Sequence, residues 1–273
     1  MGNIGEIEKQ KVHDFWNKSS CGELLYLLNS DRVGYQEHSN ERYRLEGDMI
    51  FALAQFRESK DLEVLEIGVG LGSDHQKFAE AGAILYGIDL TERAIAHTTA
   101  RLSAFDLMSN LAVGDAENLN FPSNSFDQVY SWGVLHHSPD TSKAISEVFR
   151  VLKPNGLASI MIYHKWSIVG FMLWIRFALL RLHPWLTLNK IYSTYLESPG
   201  TKAYSVGEAK EMFKAFKTVV IKTPLTHGDL LESDVGQRYR GLMLKIARLF
   251  WPRWFINLVL PNAGLFMLIE ARK

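Results

Sequence analysis

One short stretch of this chain leaves the backbone few options. The β-rich run Leu62-Glu-Val-Leu-Glu-Ile67 stops at Gly68, Gly70 and Gly72, and a helical segment containing Phe78 and Ala79 follows. A strand that meets a glycine cluster and continues as a helix is a βα unit with a tight turn. The glycines let the chain turn sharply and let a ligand approach backbone amides where a Cβ would collide. The alternation then continues. Ala83-Ile-Leu-Tyr-Gly-Ile88 ends at Asp89, and Thr91 is suited to cap the helical stretch after it. Further strands are expected near Leu111–Val113, over Phe126–Trp132 and over Leu157–Tyr163, with a helix before Arg150. Parallel strands joined by crossover helices, an α/β fold, are the expected result.

After Tyr163 the rhythm breaks, and the next strand candidate is Phe216–Thr223, so residues 165–215 read as an insert or lid. Within it, Ser205-Val-Gly-Glu208 has capping-box spacing and should start a helix over Ala209–Ala215. An apolar and basic stretch, Leu242–Leu260, precedes the last strand candidate, Leu265–Ala271. Residues 1–57, with Trp16, Tyr26 and Tyr35, precede the first strand as a helical cap. The chain thus reads as a single domain over 1–273: the cap, a core over 61–163, the insert, and C-terminal strands with an apolar insertion over 216–273.

Composition narrows the function classes. With 47% hydrophobic and 22% charged residues the chain can bury a full core. Thirty basic residues balance thirty acidic ones, and no basic cluster suits a phosphate-tracking groove, so nucleic acid is not an expected partner. Cys21 is the only cysteine, which excludes an intramolecular disulfide, and the N-terminus does not read as a signal peptide. A cytoplasmic location is the expectation. The apolar run Ile168–Leu180 is shorter than the ~20 residues a membrane span needs and carries Arg176, which suits a buried or interfacial helix.

In an open parallel sheet, ligands sit beyond the C-terminal strand ends at the switch in strand order. Asp89 ends the second strand there, where a carboxylate accepts from both hydroxyls of a ribose. That suits NAD and S-adenosylmethionine (SAM) alike. Two details separate them: the spacing Gly-x-Gly-x-Gly has Ser73 where a dinucleotide fingerprint has its third glycine, and acidic Glu66 precedes the cluster. A pyrophosphate is repelled by that carboxylate, whereas a sulfonium ligand with a free ammonium group accepts it.

Val64-Leu-Glu-Ile-Gly-Val-Gly-Leu-Gly72, Gly87-Ile-Asp89, Gly114-Asp-Ala-Glu117 and Phe121-Pro-Ser-Asn-Ser-Phe-Asp127 resemble, in order, the motifs of class I SAM-dependent methyltransferases. The resemblance runs from Asp61 to Tyr163, through Ser131–Asp140 and Glu147–Gly156, and departs at Asn155, where relatives often have a second glycine. It implies a doubly wound, mostly parallel seven-stranded sheet. It also implies that Gly68, Gly70 and Gly72 line the methionine portion of SAM, that Asp89 holds the ribose and that Leu90 packs on the adenine. Asp115 would accept from the adenine amino group, the Ala116 amide would face a ring nitrogen, and Trp132 would lie beside the amino acid part.

For the chemistry, a histidine follows the fourth strand twice, as His136 and His137. A neutral imidazole suits proton removal near neutral pH, and His137 is the preferred acid-base residue because some small-molecule methyltransferases similar here place one at the matching position. Closing the cleft by a backbone hydrogen bond is the bland alternative. His136, Tyr163 and His164 are secondary candidates for acceptor contact, while Asp74 and His75 are assigned no chemistry. His183, His227 and Cys21 show no ligand spacing, so no metal is expected. The aromatic insert Trp166–Leu180, with Phe250–Phe255, suggests an apolar cap and hence a small apolar or aromatic acceptor, methylated on oxygen, nitrogen or carbon. A core-extending helix, a homodimer interface and a membrane-surface patch that would suit Arg176, Arg181, Arg248 and Arg253 stay open. The competing functions are a nicotinamide-dependent oxidoreductase and a non-catalytic SAM-binding or partner-binding protein.

Overall fold

The computed structural model describes residues 2–231, 251 and 253–273. Seven strands form one sheet: β1 (Glu63–Ile67), β2 (Ile84–Asp89), β3 (Asn110–Val113), β4 (Phe126–Trp132), β5 (Leu152–Tyr163), β6 (Thr218–Lys222) and β7 (Phe266–Arg272). Their order is β3-β2-β1-β4-β5-β7-β6. Strands β1 to β5 are parallel, and β7 runs antiparallel to both β5 and β6. The chain winds outward from β1 to β3 and then returns to place β4 on the other side of β1. Strand order therefore reverses between β1 and β4, which opens a crevice above their C-terminal ends.

Strand positions follow the sequence reading to within one or two residues at most ends, with one physical exception. β5 begins at Leu152 rather than Leu157. The backbone amides of Asn155 and Lys273 bond to the carbonyls of Lys273 and Gly156, which carries the ladder past a turn where Asn155 takes φ 65°. Asparagine tolerates that left-handed conformation, so the missing second glycine is accommodated.

Helices α4 (Ser73–Ala81), α5 (Glu92–Ala104) and α6 (Thr141–Val151) make the crossovers. Thr91 and Asp140 cap α5 and α6 by accepting the amides of Ala94 and Lys143. α6 presents Ile145 and Val148 to Val129 and Ile160 of the sheet. On another face Phe78 of α4 meets Val64 and Tyr130, joined by Ile50.

The N-terminal cap is α1 (Gly2–Lys18), α2 (Glu23–Tyr26) and α3 (Arg32–Ala54). It is tied to α5 by Glu23, which accepts from Arg93 Nε at 2.8 Å and from a second guanidinium N–H. The paired guanidinium holds the Glu23 carboxyl down to about 2. A depressed folded pKa gives stability that is present above the unfolded value of ~4.3 and lost as pH falls toward about 2. Thermal melts of the wild type and Glu23→Gln should therefore differ at neutral pH and converge in acid. A difference independent of pH would contradict the pairing.

The insert folds as α7 (Ile168–Phe177), α8 (Leu188–Tyr195) and α9 (Val206–Met212). The capping box at Ser205 and Glu208 is formed, but α9 begins at Val206, directly after its cap, rather than at Ala209. The cap residue itself borders the first turn, so the helix sits three residues earlier than expected. Of the apolar stretch Leu242–Leu260, residues 242–250 and 252 lie outside the described residues, and Arg253–Val259 forms α10.

Candidate active site

The crevice is built on the turn after β1. Gly68, Gly70 and Gly72 all adopt positive φ, at 85°, 54° and 75°. Their surroundings differ. A Cβ on Gly68 would lie 2.1 Å from a Val134 methyl, and one on Gly72 would lie 2.9 Å from the Thr98 hydroxyl, whereas a Cβ on Gly70 would meet nothing within 4 Å. Two glycines are thus required by the protein's own packing, and the third faces open space.

Asp89 locks this loop to β2. One carboxylate oxygen accepts the Thr91 amide at 3.0 Å and the Thr91 hydroxyl at 2.9 Å, and the other accepts the Gly70 amide at 3.2 Å. Burial pushes the Asp89 carboxyl up, and these bonds oppose the shift. The bond from Gly70 is long, and the second oxygen retains acceptor capacity. Leu90, half-buried, follows it at the mouth of the crevice.

Glu66 is placed beneath the loop, only 3% exposed, with Oε2 2.9 Å from His75 Nδ1. The proton positions follow from the partners. Ser109 gives its hydroxyl proton to the Leu85 carbonyl, so His75 Nε2, 2.8 Å away, donates to Ser109. Burial holds the His75 pKa down to about 3, so the ring is neutral and Nδ1 is left as an acceptor. Glu66 must then carry the proton, in keeping with the strong upward push that burial gives its carboxyl. In this arrangement it is a neutral acid that donates to His75. Gly87 makes room for His75, since a Cβ there would lie 2.6 Å from the ring.

Asp74 is a structural hub. Its carboxylate accepts from Arg42 at 2.6 Å, Tyr130 at 2.8 Å and Tyr43 at 3.0 Å. Burial acts against the charge, but the Arg42 guanidinium and these hydroxyls outweigh it and hold the carboxyl below its usual range.

At the β3 side of the crevice Asp115 is partly engaged: Oδ2 pairs with Lys9 of α1 at 2.6 Å and Oδ1 accepts the Glu117 amide at 2.9 Å. The Ala116 side chain packs against the main core. Trp132, at the end of β4, packs edge-on to Phe266 with ring centroids 5.7 Å apart.

Beyond β4, a short 3-10 turn, Leu135–His137, carries the two histidines. His136 is fully buried, 4.0 Å from the Tyr163 ring centroid and 4.3 Å from that of His137, and neither of its nitrogens has a partner among the described residues. Burial drives its pKa well down, so it is a neutral wall. His137 is different. Its Nδ1 lies 2.8 Å from the Ser198 hydroxyl and 3.2 Å from that of Thr201, and its Nε2 lies 3.5 Å from Glu197 Oε2. Thr201 gives its proton to the Ser198 carbonyl. The Ser198 hydroxyl keeps its proton for Nδ1, and the Glu197 carboxylate is the partner that Nε2 faces. Trp16 packs edge-on to the same ring at 5.4 Å. The Tyr163 hydroxyl also meets Glu197, and burial pushes its pKa well up.

His164 is turned away from this cluster, its Nδ1 held by the Gly264 carbonyl at 3.2 Å, so its ring is committed to the backbone rather than to an acceptor. Sequence reasoning did not find Glu197, Ser198, Thr201 or Trp16 as partners of His137. They lie on the loop after α8 and on α1, far away in the chain, and no local spacing marks them. Among the described residues, His136, His137 and Glu197 are the one group whose ligand atoms, within 4.8 Å of one another, could hold a metal ion. Surface cavities of about 270 and 360 Å³ lie elsewhere, beside Asp127 and Pro154 and beside Tyr43 and His227.

Residues 65–160 match the family described as a methyltransferase domain, and this match spans β1 to β5 with the glycine turn, Asp89 and both histidines. This core is a methyltransferase domain. Phosphoethanolamine N-methyltransferase 2 of Caenorhabditis elegans is 38% identical over 104 residues, covering 37% of this chain and 24% of that protein. Sterol 24-C-methyltransferase erg-4 of Neurospora crassa is 32% identical over 109 residues, covering 39% of this chain and 29% of that protein. The matched part therefore spans about a quarter of these relatives' lengths. Among solved structures, the Haemonchus contortus phosphoethanolamine N-methyltransferase 2, in complex with phosphomonomethylethanolamine and S-adenosylhomocysteine, aligns with TM-score 0.62 at 18% identity, over 96% of this chain and 60% of that one. It shares the fold.

Proposed function

We propose that this protein transfers a methyl group from SAM to an oxygen, nitrogen or carbon atom of a small, apolar or aromatic acceptor. The observation that carries the reading is the glycine turn: Gly68 and Gly72 are filled by the protein itself, while Gly70 presents bare backbone to the crevice beside Asp89. This is a cradle that a Cβ would begin to fill, and it fits a ligand that brings a ribose to Asp89 and an amino acid portion toward Trp132. Leu90 and the Ala116 amide are assigned to the adenine, and Asp115 retains capacity for its amino group beside Lys9.

When bound, the cofactor supplies an already activated methyl group. The protein's part is to orient the acceptor, exclude water and remove a proton where the acceptor carries one. Trp16, His136 and Tyr163 form an apolar wall around His137. His137 is assigned to take the acceptor proton, and Glu197, 3.5 Å from its Nε2, stabilises the resulting imidazolium. The sterol and phosphoethanolamine names of the two relatives bracket the acceptor chemistry, apolar and amine. The carboxylate of Glu197 beside the aromatic wall favours an amine as a second reading.

Asp89→Ala is expected to weaken SAM by ~1.5–3 kcal/mol, roughly ten- to 150-fold, through lost ribose contacts. Titration calorimetry of the variant measures this, and unchanged affinity would remove Asp89 from the cofactor site. Methyl transfer from labelled SAM, screened over hydroquinones, sterols and amines, tests the reaction. Absence of transfer to every class despite SAM binding would favour the non-catalytic alternative.

A further inference from the structure

We propose that the exposed apolar face of α7, the segment after it and α10 docks this protein on the surface of an anionic lipid bilayer. Leu182, Trp185, Trp254 and Leu258 are 81%, 71%, 73% and 73% exposed. On α10 the apolar side faces outward: Trp254, Phe255 and Leu258 are exposed while Ile256 is buried. The two regions adjoin where α7 begins. The Ile168 amide at the start of α7 donates to the Ala263 carbonyl just after α10, and Leu265 packs into the cluster formed by Val169, Leu173 and Ile191.

Charge decides the occupant. In a chain whose acidic and basic residues balance, no Asp or Glu occurs from His164 to Leu196 or from Val235 to Ile269. Arg176, Arg181 and Lys190 are exposed around the apolar residues of the first stretch. Tryptophan and leucine tips interleaved with arginine and lysine match the depth and sign of an anionic lipid surface. A second copy of the chain would press one cationic face against another, which costs electrostatic energy in an isologous pair. Among the described residues no helix is long and apolar enough to cross a membrane, so this face lies on the bilayer. It also borders the candidate site, since α7 starts shortly after Tyr163 and the loop after α8 carries the partners of His137.

The test needs no methyl transfer. The full chain is sedimented with vesicles of phosphatidylcholine alone or mixed with phosphatidylglycerol, at low and high salt. Binding to the mixed vesicles, weakened by salt and faint on phosphatidylcholine, is expected. The pair Leu182→Asp and Trp185→Asp should weaken it at least about tenfold, and Arg181→Glu with Lys190→Glu likewise, with unchanged melting. Met108→Asp, at a residue 92% exposed in the loop before β3, is the control and should leave binding intact. No binding, or salt-independent binding to both vesicle types, would overturn the proposal. So would a dimer in sedimentation velocity that the Leu182 and Trp185 variants abolish, because the face would then belong to a second copy.

Discussion

Gly68→Ala is expected to destabilise the fold by about 2–5 kcal/mol, since the new methyl overlaps Val134 and the backbone must hold a left-handed conformation. For a chain of this size that lowers the melting temperature by roughly 5–15 °C, readable by calorimetry. Gly70→Ala separates packing from function. Its Cβ meets nothing, so only the conformational cost of ~1–2 kcal/mol remains, while the methyl intrudes on the face assigned to the cofactor. SAM affinity should fall by a factor on the order of ten, ~1.4 kcal/mol, at nearly normal stability. Equal stability losses in the two variants, with SAM binding intact in Gly70→Ala, would mean that this loop serves the fold alone.

The second large effect concerns His137. His137→Ala should lower turnover ~10²–10⁴-fold at unchanged SAM affinity, because it removes the one imidazole of the cluster with a nitrogen directed at an acidic partner. Glu197→Gln should cut turnover less, keeping the base but losing the charge that stabilises its protonated form. His136→Gln serves as the comparison, since that ring is sealed in the wall. Full turnover in His137→Ala with the true acceptor would confine His137 to closing the cleft.

The glycine turn, Asp89 and β4 were legible in the sequence because each rests on local chemistry: β-rich runs, positive-φ positions and a carboxylate at a strand end. The capping box of α9 is legible in the sequence, yet the helix starts three residues before Ala209, because the cap fixes the boundary more tightly than composition does. The sequence marks Glu66 as an acidic residue before the glycine turn, while its hydrogen-bond chain through His75 and Ser109 to the Leu85 carbonyl is brought together only by the fold. The partners of His137 stayed hidden for the same reason: Ser198, Thr201 and Glu197 reach it from the far end of the insert. Local rules mark the glycine edge of the crevice, and long-range packing sets the histidine edge.

The measurement that tests the central claim most directly is calorimetric titration of the purified chain with SAM, S-adenosylhomocysteine and NADH. Saturable binding of SAM and S-adenosylhomocysteine with no heat from NADH is the predicted result. Binding of NADH alone would contradict the account and return the glycine turn to a dinucleotide.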